Sequence, residues 1–199
     1  RRALDVNPNL VQVRQQLAAL SLHQGQPDDA LAEAKAVQQR FPKQATGYLM
    51  EGDIYAAQKN WPAAERAYRE TLKQEKSTVA ATRLHAVLVQ VGKANEANTF
   101  ASSWLKENPK DAAFRLYLAD RSLRSKDYKT AAQHYKAVIA EQPRNAIALN
   151  NLAFTAGQLG DPDAVKYAEQ ALAIAPDNAA IQDTLGWLLV EKGQVGRGV

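Results

Sequence analysis

Apolar residues recur at spacings of three and four in eleven short runs of this chain, with polar residues filling the positions between them. Residues at those spacings share one face of a helix, so each run reads as a helix with one buried stripe. The runs predict helices over 11–24, 28–41, 44–58, 62–75, 78–91, 94–107, 111–125, 128–141, 145–158, 162–175 and 178–192, and no strand.

Prolines punctuate these helices at two points of one repeating register. Pro8, Pro42, Pro109, Pro143 and Pro176 each close a unit, and Lys76 stands where the sixth member belongs. The steps along this series are 34, 34, 33, 34 and 33 residues. Pro27, Pro62 and Pro162 fall near the middle of a unit, where the first turn of a helix tolerates the missing N–H. A period of this length marks stacked helix–turn–helix units, here 9–42, 43–76, 77–109, 110–143 and 144–176 with a partial unit over 177–199.

With the seam residue set as position 32 of a unit, residue size repeats as well. Position 8 holds Ala18, Gly52, Ala86, Ala119, Ala153 and Gly186. Position 20 holds Ala30, Ala64, Ala97 and Ala131, and Ala164 once a one-residue gap is allowed in the turn. Small side chains at these two places let paired helices approach closely. Position 7 gives Leu17, Leu118, Leu152 and Leu185, and position 24 gives Tyr68, Tyr135 and Tyr167. Asp111, Asn145 and Asn178 precede first helices as N-caps, Gly25 and Gly160 suit left-handed turns, and Gln26-Pro27 and Asp161-Pro162 open second helices.

This pattern resembles the tetratricopeptide repeat over essentially the whole chain. Tyr48, Gly52, Tyr55, Ala64 and Tyr68 follow the family's large–small–aromatic–Ala–aromatic spacing, and Ala171 with Pro176 closes the fifth unit as the family does. The third unit departs from it: Lys76 replaces the proline, the turn lacks the usual glycine position, His85 replaces a leucine and Trp104 fills a place usually small. The resemblance implies an all-α, right-handed superhelical solenoid of antiparallel helix pairs. It comprises five full repeats plus a half-repeat at each end, one solenoid over 1–199 and a fragment of a longer array. On that reading Arg1–Pro8 is the tail of a second helix, and helix 178–192 lacks a partner that would begin near Val195. The stripe Leu185, Leu188, Leu189 and Val190 with Trp187 is then expected to pack against a second copy of the chain, a dimer contact, or to fray in dilute solution.

Composition removes several functions. The 25 basic and 21 acidic residues are interspersed, with no basic run, which argues against nucleic acid as a partner. No segment has the apolar length to insert in a bilayer. The absence of cysteine excludes disulfides and thiol chemistry. His23, His85 and His134 are isolated, so no metal, no cofactor and no catalytic constellation is expected. His85 reads as a hydrogen-bonded core histidine, and Trp104 with Phe100 and Leu105 as a repacked core. Glu65, Glu70, Glu75 and Asp53 read as solvated faces.

In the resembled family the first helices line the concave groove through positions 2, 5, 6, 9, 12 and 13. This selects Gln12, Gln15, Gln16, Asp53, Arg83, Tyr117, Asp120, Arg124, Asn150, Asn151, Phe154, Asp183 and Trp187. Amides can bond both donors and acceptors of an extended peptide, and the aromatics can take an apolar side chain. Asn151 also stands where the family often carries asparagine, which fits a structural role equally. A carboxylate clamp needs asparagine at position 9, and none is there. The resemblance thus implies a non-catalytic scaffold for a protein or peptide partner. A different class of reading is the substrate-recruiting arm of an enzyme such as a glycosyltransferase, whose catalytic domain would lie outside this stretch; a third is a self-assembling array.

The stretch Ala146–Ala153, then Gly160-Asp161-Pro162, then Ala171–Gln194, is similar to the TPR-repeat lipoproteins of the bacterial PEP-CTERM/exosortase system and its exopolysaccharide loci. That narrower resemblance implies a lipid-anchored protein on the periplasmic side of a bacterial envelope; without it the expectation is cytoplasmic.

Overall fold

A computed structural model describes residues 10–194 and 196. Eleven α-helices and no strand lie among the described residues: α1 Val11–His23, α2 Pro27–Arg40, α3 Ala45–Ala57, α4 Trp61–Gln74, α5 Thr78–Gln90, α6 Ala94–Glu107, α7 Ala112–Arg124, α8 Tyr128–Glu141, α9 Ala146–Gln158, α10 Ala164–Ile174 and α11 Ala179–Glu191. The expected helix tail Arg1–Pro8 and the expected start at Val195 fall outside the described residues. The helices divide between two compact units, Arg1–Glu107 with α1–α6 and Asn108–Val199 with α7–α11. Within each unit, consecutive helices pack on one another.

Every predicted helix is present, and the largest displacement, two residues, has a local cause. The Asp161 carboxylate accepts from the Asp163 N–H at 3.0 Å, and its carbonyl accepts from Ala164 at 3.2 Å. Pro162 therefore sits in a turn and the helix begins at Ala164, whereas Pro27 and Pro62 do occupy first turns. At the seams the prolines take the second place of tight turns, which fix φ where proline already holds it. Bonds from Gln44 to Phe41, Asp111 to Asn108, Asn145 to Gln142 and Asn178 to Ala175 close them. The seam at Lys76, between Gln74 and Thr78, is one residue shorter and is capped by Ser77, whose hydroxyl accepts from Ala80 N–H. Asp111, Asn145 and Asn178 cap as expected, joined by Asn60 and Asp127. Each such cap contributes about 1 kcal/mol.

The third unit's turn is corrected by the backbone. Gly92 has φ +78°, the left-handed conformation that Gly25 and Gly160 share at +71° and +69°. Lys59 and Lys126 occupy the same place in the second and fourth units at +59° and +61°. The turn thus demands a left-handed residue in every unit, and two units meet that demand with lysine.

Packing bears out the small-residue register at position 20 but corrects it at position 8 of the third unit: the shorter seam shifts that first helix by one, so buried Leu84 and His85 take positions 7 and 8 and Ala86 is half-buried. The position-20 alanines Ala30, Ala64, Ala97, Ala131 and Ala164 are all fully buried. A Cβ on Gly52 would meet the Tyr68 ring at 2.5 Å, so α3 and α4 approach as closely as glycine permits. Position 24 of the fifth unit needs correction: fully buried Ala168 fills it, and Tyr167 lies beside it, only partly buried, because the one-residue gap shifts the whole second helix. In the third unit His85 and Trp104 are buried, with the Phe100 and Trp104 rings 6.3 Å apart. The stripe expected to lie bare on α11 is mostly covered. Leu188 and Leu189 are buried, Leu188 against Ala153, Ala156, Ala164 and Ala168, while Val190 remains exposed.

Candidate functional site

The first helices α3 and α5 of one unit, and α7, α9 and α11 of the other, carry polar groups held from behind by second helices. In the first compact unit, Arg1–Glu107, the buried Tyr68 hydroxyl, on α4, donates to Asp53 Oδ1 at 2.8 Å. Arg83, on α5, reaches the same oxygen at 2.9 Å. Burial raises the Asp53 carboxyl above its usual range, outweighing the Tyr68 hydrogen bond and the Arg83 charge, which lower it. Burial and the Asp53 carboxylate together push the Tyr68 phenol well upward, so it remains a proton donor.

The second unit repeats the device. Tyr135, fully buried on α8, donates to Asp120 Oδ1 at 2.6 Å. Asn151 Nδ2, on α9, donates to the Tyr135 oxygen at 3.3 Å, and Asn150 Nδ2 reaches Asn151 Oδ1 at 3.4 Å. Burial and the hydrogen bond to Asp120 raise the Tyr135 phenol. In both units the aspartate stands at position 9, the tyrosine fifteen residues later at position 24, and the third member six residues after the cap of the next first helix, Ser77 or Asn145.

Aromatic rings extend the second unit's face. Phe154 and Trp187 lie 5.5 Å apart, and Tyr128 meets Phe154 edge-on at 6.5 Å. Tyr117 packs on Phe114 at 5.9 Å, and burial raises its phenol. Of the thirteen residues selected from sequence, the structure therefore joins Asp53 with Arg83, Asp120 with Asn151 through Tyr135, Asn150 with Asn151, and Phe154 with Trp187. Gln12, Gln15 and Gln16 on α1, Arg124 on α7 and Asp183 on α11 are exposed. Two of the solvated-face assignments are corrected. Asp53 is half-buried and bonded. Glu65 is 15% exposed and takes Arg69 at 3.0 Å and Lys93 at 2.8 Å. Burial pushes the Glu65 carboxyl up, but hydrogen bonds from Lys93 and Arg69 outweigh it and hold it low. Sequence reasoning placed Tyr68 and Tyr135 in the core and missed their bonds; the shared fifteen-residue Asp-to-Tyr spacing was the available signal.

Residues 17–80, 71–146 and 118–179 match the sequence profile of the tetratricopeptide repeat. The chain belongs to the tetratricopeptide repeat family. No curated protein matches it. Among solved structures, MamA is similar at 20% identity and a TM-score of 0.62, over 77% of this chain and 85% of that one. PilW, described as a widely conserved type IV pilus biogenesis factor, is similar at 18% identity and 0.64, over 95% and 89%. YrrB, described as a TPR protein with an unusual peptide-binding site, is similar at 19% identity and 0.55, over 90% and 94%. At such identities the likeness shows the fold, a helical repeat solenoid.

Among the described residues no three His, Cys, Asp or Glu side chains gather as a metal site, and no helix is long and apolar enough to cross a membrane. The tetratricopeptide repeats instead offer half-exposed carboxylates, amides and rings whose positions are fixed by buried partners. Such groups suit recognition, because orientation is settled before a ligand arrives.

Proposed function

We propose that this chain is a non-catalytic scaffold that holds a protein or peptide partner against the first-helix faces of its repeats. The observation that carries this reading is the repeated Tyr–Asp pair. Two fully buried second-helix tyrosines each spend a hydroxyl on fixing a half-exposed first-helix carboxylate. A carboxylate needed only for solubility requires no such support. The peptide-binding site named for YrrB, a protein of the same fold, supports the choice of ligand class.

Partner capture from a lysate tests it. The immobilised chain is compared with a variant carrying Asp53→Ala, Arg83→Ala, Asp120→Ala and Trp187→Ala, after circular dichroism establishes that both are folded. The parent is expected to retain partners that the variant loses; equal recovery of the same partners overturns the reading.

Within that role we place the chain in exopolysaccharide production or PEP-CTERM surface-protein sorting at a bacterial envelope, on its periplasmic side. Support comes from the motifs in Ala146–Ala153 and Ala171–Gln194 alone. Co-purification with envelope proteins of such a system is the expected result, and exclusive recovery of cytosolic partners overturns it.

A further inference from the structure

We infer that the second compact unit, Asn108–Val199, receives a cationic side chain, lysine or arginine, of its partner in a cavity beside Trp187. This rests on the scaffold reading and names the chemistry one end of that face selects. The cavity is about 250 Å³ and is lined by Gly157, Gly160, Asp161, Trp187, Leu188, Glu191 and Lys192. That lies below the range of roughly 300–1,000 Å³ usual for small-molecule sites and suits a single side chain.

Its existence traces to one residue. Twelve residues after the cap stand Leu22, Ala56, Val89 and Leu123 in the first four repeats and Gly157 in the fifth. A Cβ there would meet Leu188 Cδ2 at 2.5 Å and the Trp187 ring at 2.9 Å. The missing side chain therefore seats the indole on the backbone of α9, and Phe154 braces it from 5.5 Å. Trp187 is held in place and still partly exposed.

Three features of this cavity favour positive charge. An indole face attracts a cation through its quadrupole. The cavity lies where α9 ends at Gln158 and α11 ends at Glu191, and the C-terminal end of a helix carries partial negative charge. Asp183, Trp187 and Glu191 stand at intervals of four on α11, one stripe with a carboxylate on each side of the ring. Both carboxylates are exposed and form no ion pair among the described residues. Among the described residues two cations lie nearby: Lys136 bonds Asp161 at 3.3 Å, and Lys192, which itself lines the cavity, acts on the same carboxylate. Asp161 is further engaged by the Asp163 N–H, so Glu191 is the carboxylate open to a ligand.

Three capped pentapeptides test the assignment, with arginine, lysine or neutral citrulline flanked by alanines. Binding is followed by the ¹⁵N indole signals of the folded chain, with Trp187 identified by its loss in Trp187→Phe. Saturable movement of the Trp187 signal by the arginine or lysine peptide is expected, at least fivefold tighter than by citrulline. Glu191→Gln is expected to weaken it threefold or more and to leave the Trp61 and Trp104 signals in place. Equal affinity for citrulline, or a Trp187 signal unmoved by both cations, overturns the inference. Either result leaves the scaffold reading to its own test: loss of partners by the four-residue variant with silent peptides rejects the cation alone.

Discussion

The two Tyr–Asp clusters differ in what closes them, and that difference separates a geometric need from a chemical choice. Asp53 and Asp120 both take a hydroxyl from a buried tyrosine, at 2.8 and 2.6 Å. Asp53 also takes a guanidinium, Arg83 at 2.9 Å, whereas in the other unit an amide, Asn151, bonds the tyrosine instead. The shared part fixes the carboxylate and holds the helix pair; the variable part sets the local charge beside it. The packing beneath differs too. Tyr68 lies on Gly52, but the residue before Asp120 is Ala119, fully buried.

Removing one oxygen tests the shared part most severely. Tyr135→Phe is expected to destabilise by about 1.5–3 kcal/mol, the range for a hydrogen bond to a charged group, because Asp120 forms no ion pair among the described residues. Tyr68→Phe is expected to cost about 1 kcal/mol, since Arg83 still holds Asp53. Urea denaturation of both variants measures the gap, and equal losses would show that Arg83 contributes nothing to Asp53. Gly52→Ala comes next. Alanine is the better helix former, yet a Cβ at 2.5 Å from Tyr68 must displace the ring, so a net loss of about 1–3 kcal/mol is expected. Ala131→Leu, at the fully buried position 20 of the other unit, is expected to cost a similar 1–3 kcal/mol.

How much of this was readable beforehand depends on what each residue answers to. Helix positions, the alanine register, the caps at Asp111, Asn145 and Asn178 and the burial of His85 and Trp104 follow from local spacing, and the sequence carries them. The Pro162 turn did not follow, because an Asx bond from Asp161 competes with the helix start that proline advertises. Gly92 was misplaced by one residue because the seam before α5 is one residue shorter than the others, and a count from Lys76 does not show it. For the candidate site, position numbers say nothing of which side chains bond one another. Asp53 read as solvated because its bonds come from Tyr68 and Arg83, fifteen and thirty residues away on other helices. The cover over Leu188 escaped notice for the same reason, since it comes from α9 and α10.

Acid and base sharpen the charge difference with smaller effects of known sign. Asp53 binds its proton more tightly when folded, so its contribution is full below the ordinary carboxylate range and is lost as pH rises through its raised folded value. Glu65 is held low, so its contribution is present above the ordinary range and is lost as pH falls. Between pH 3 and pH 7, Asp53→Asn is therefore expected to gain stability relative to the parent, and Glu65→Gln to lose it. Slopes of the same sign in urea titrations would contradict the assignment of burial to one and ion pairing to the other. The smallest effect concerns the turns. Lys59→Gly and Lys126→Gly relieve a left-handed lysine but loosen the unfolded chain, so each melting temperature is expected to move by an amount equivalent to less than about 1 kcal/mol.

Those left-handed turns also give the chain a set of equivalent marks along its sequence. One apex recurs in each unit at 25, 59, 92, 126, 160 and 193, and at the four glycines a Cβ would find nothing within 4 Å. The chain has no cysteine, so a single introduced thiol is the sole attachment point for a dye. Lys59→Cys and Lys126→Cys replace one L-residue by another and put one dye in each unit. A donor and an acceptor at these two marks would report any change in spacing between the units, on loading a partner or under pulling force, as a change in colour.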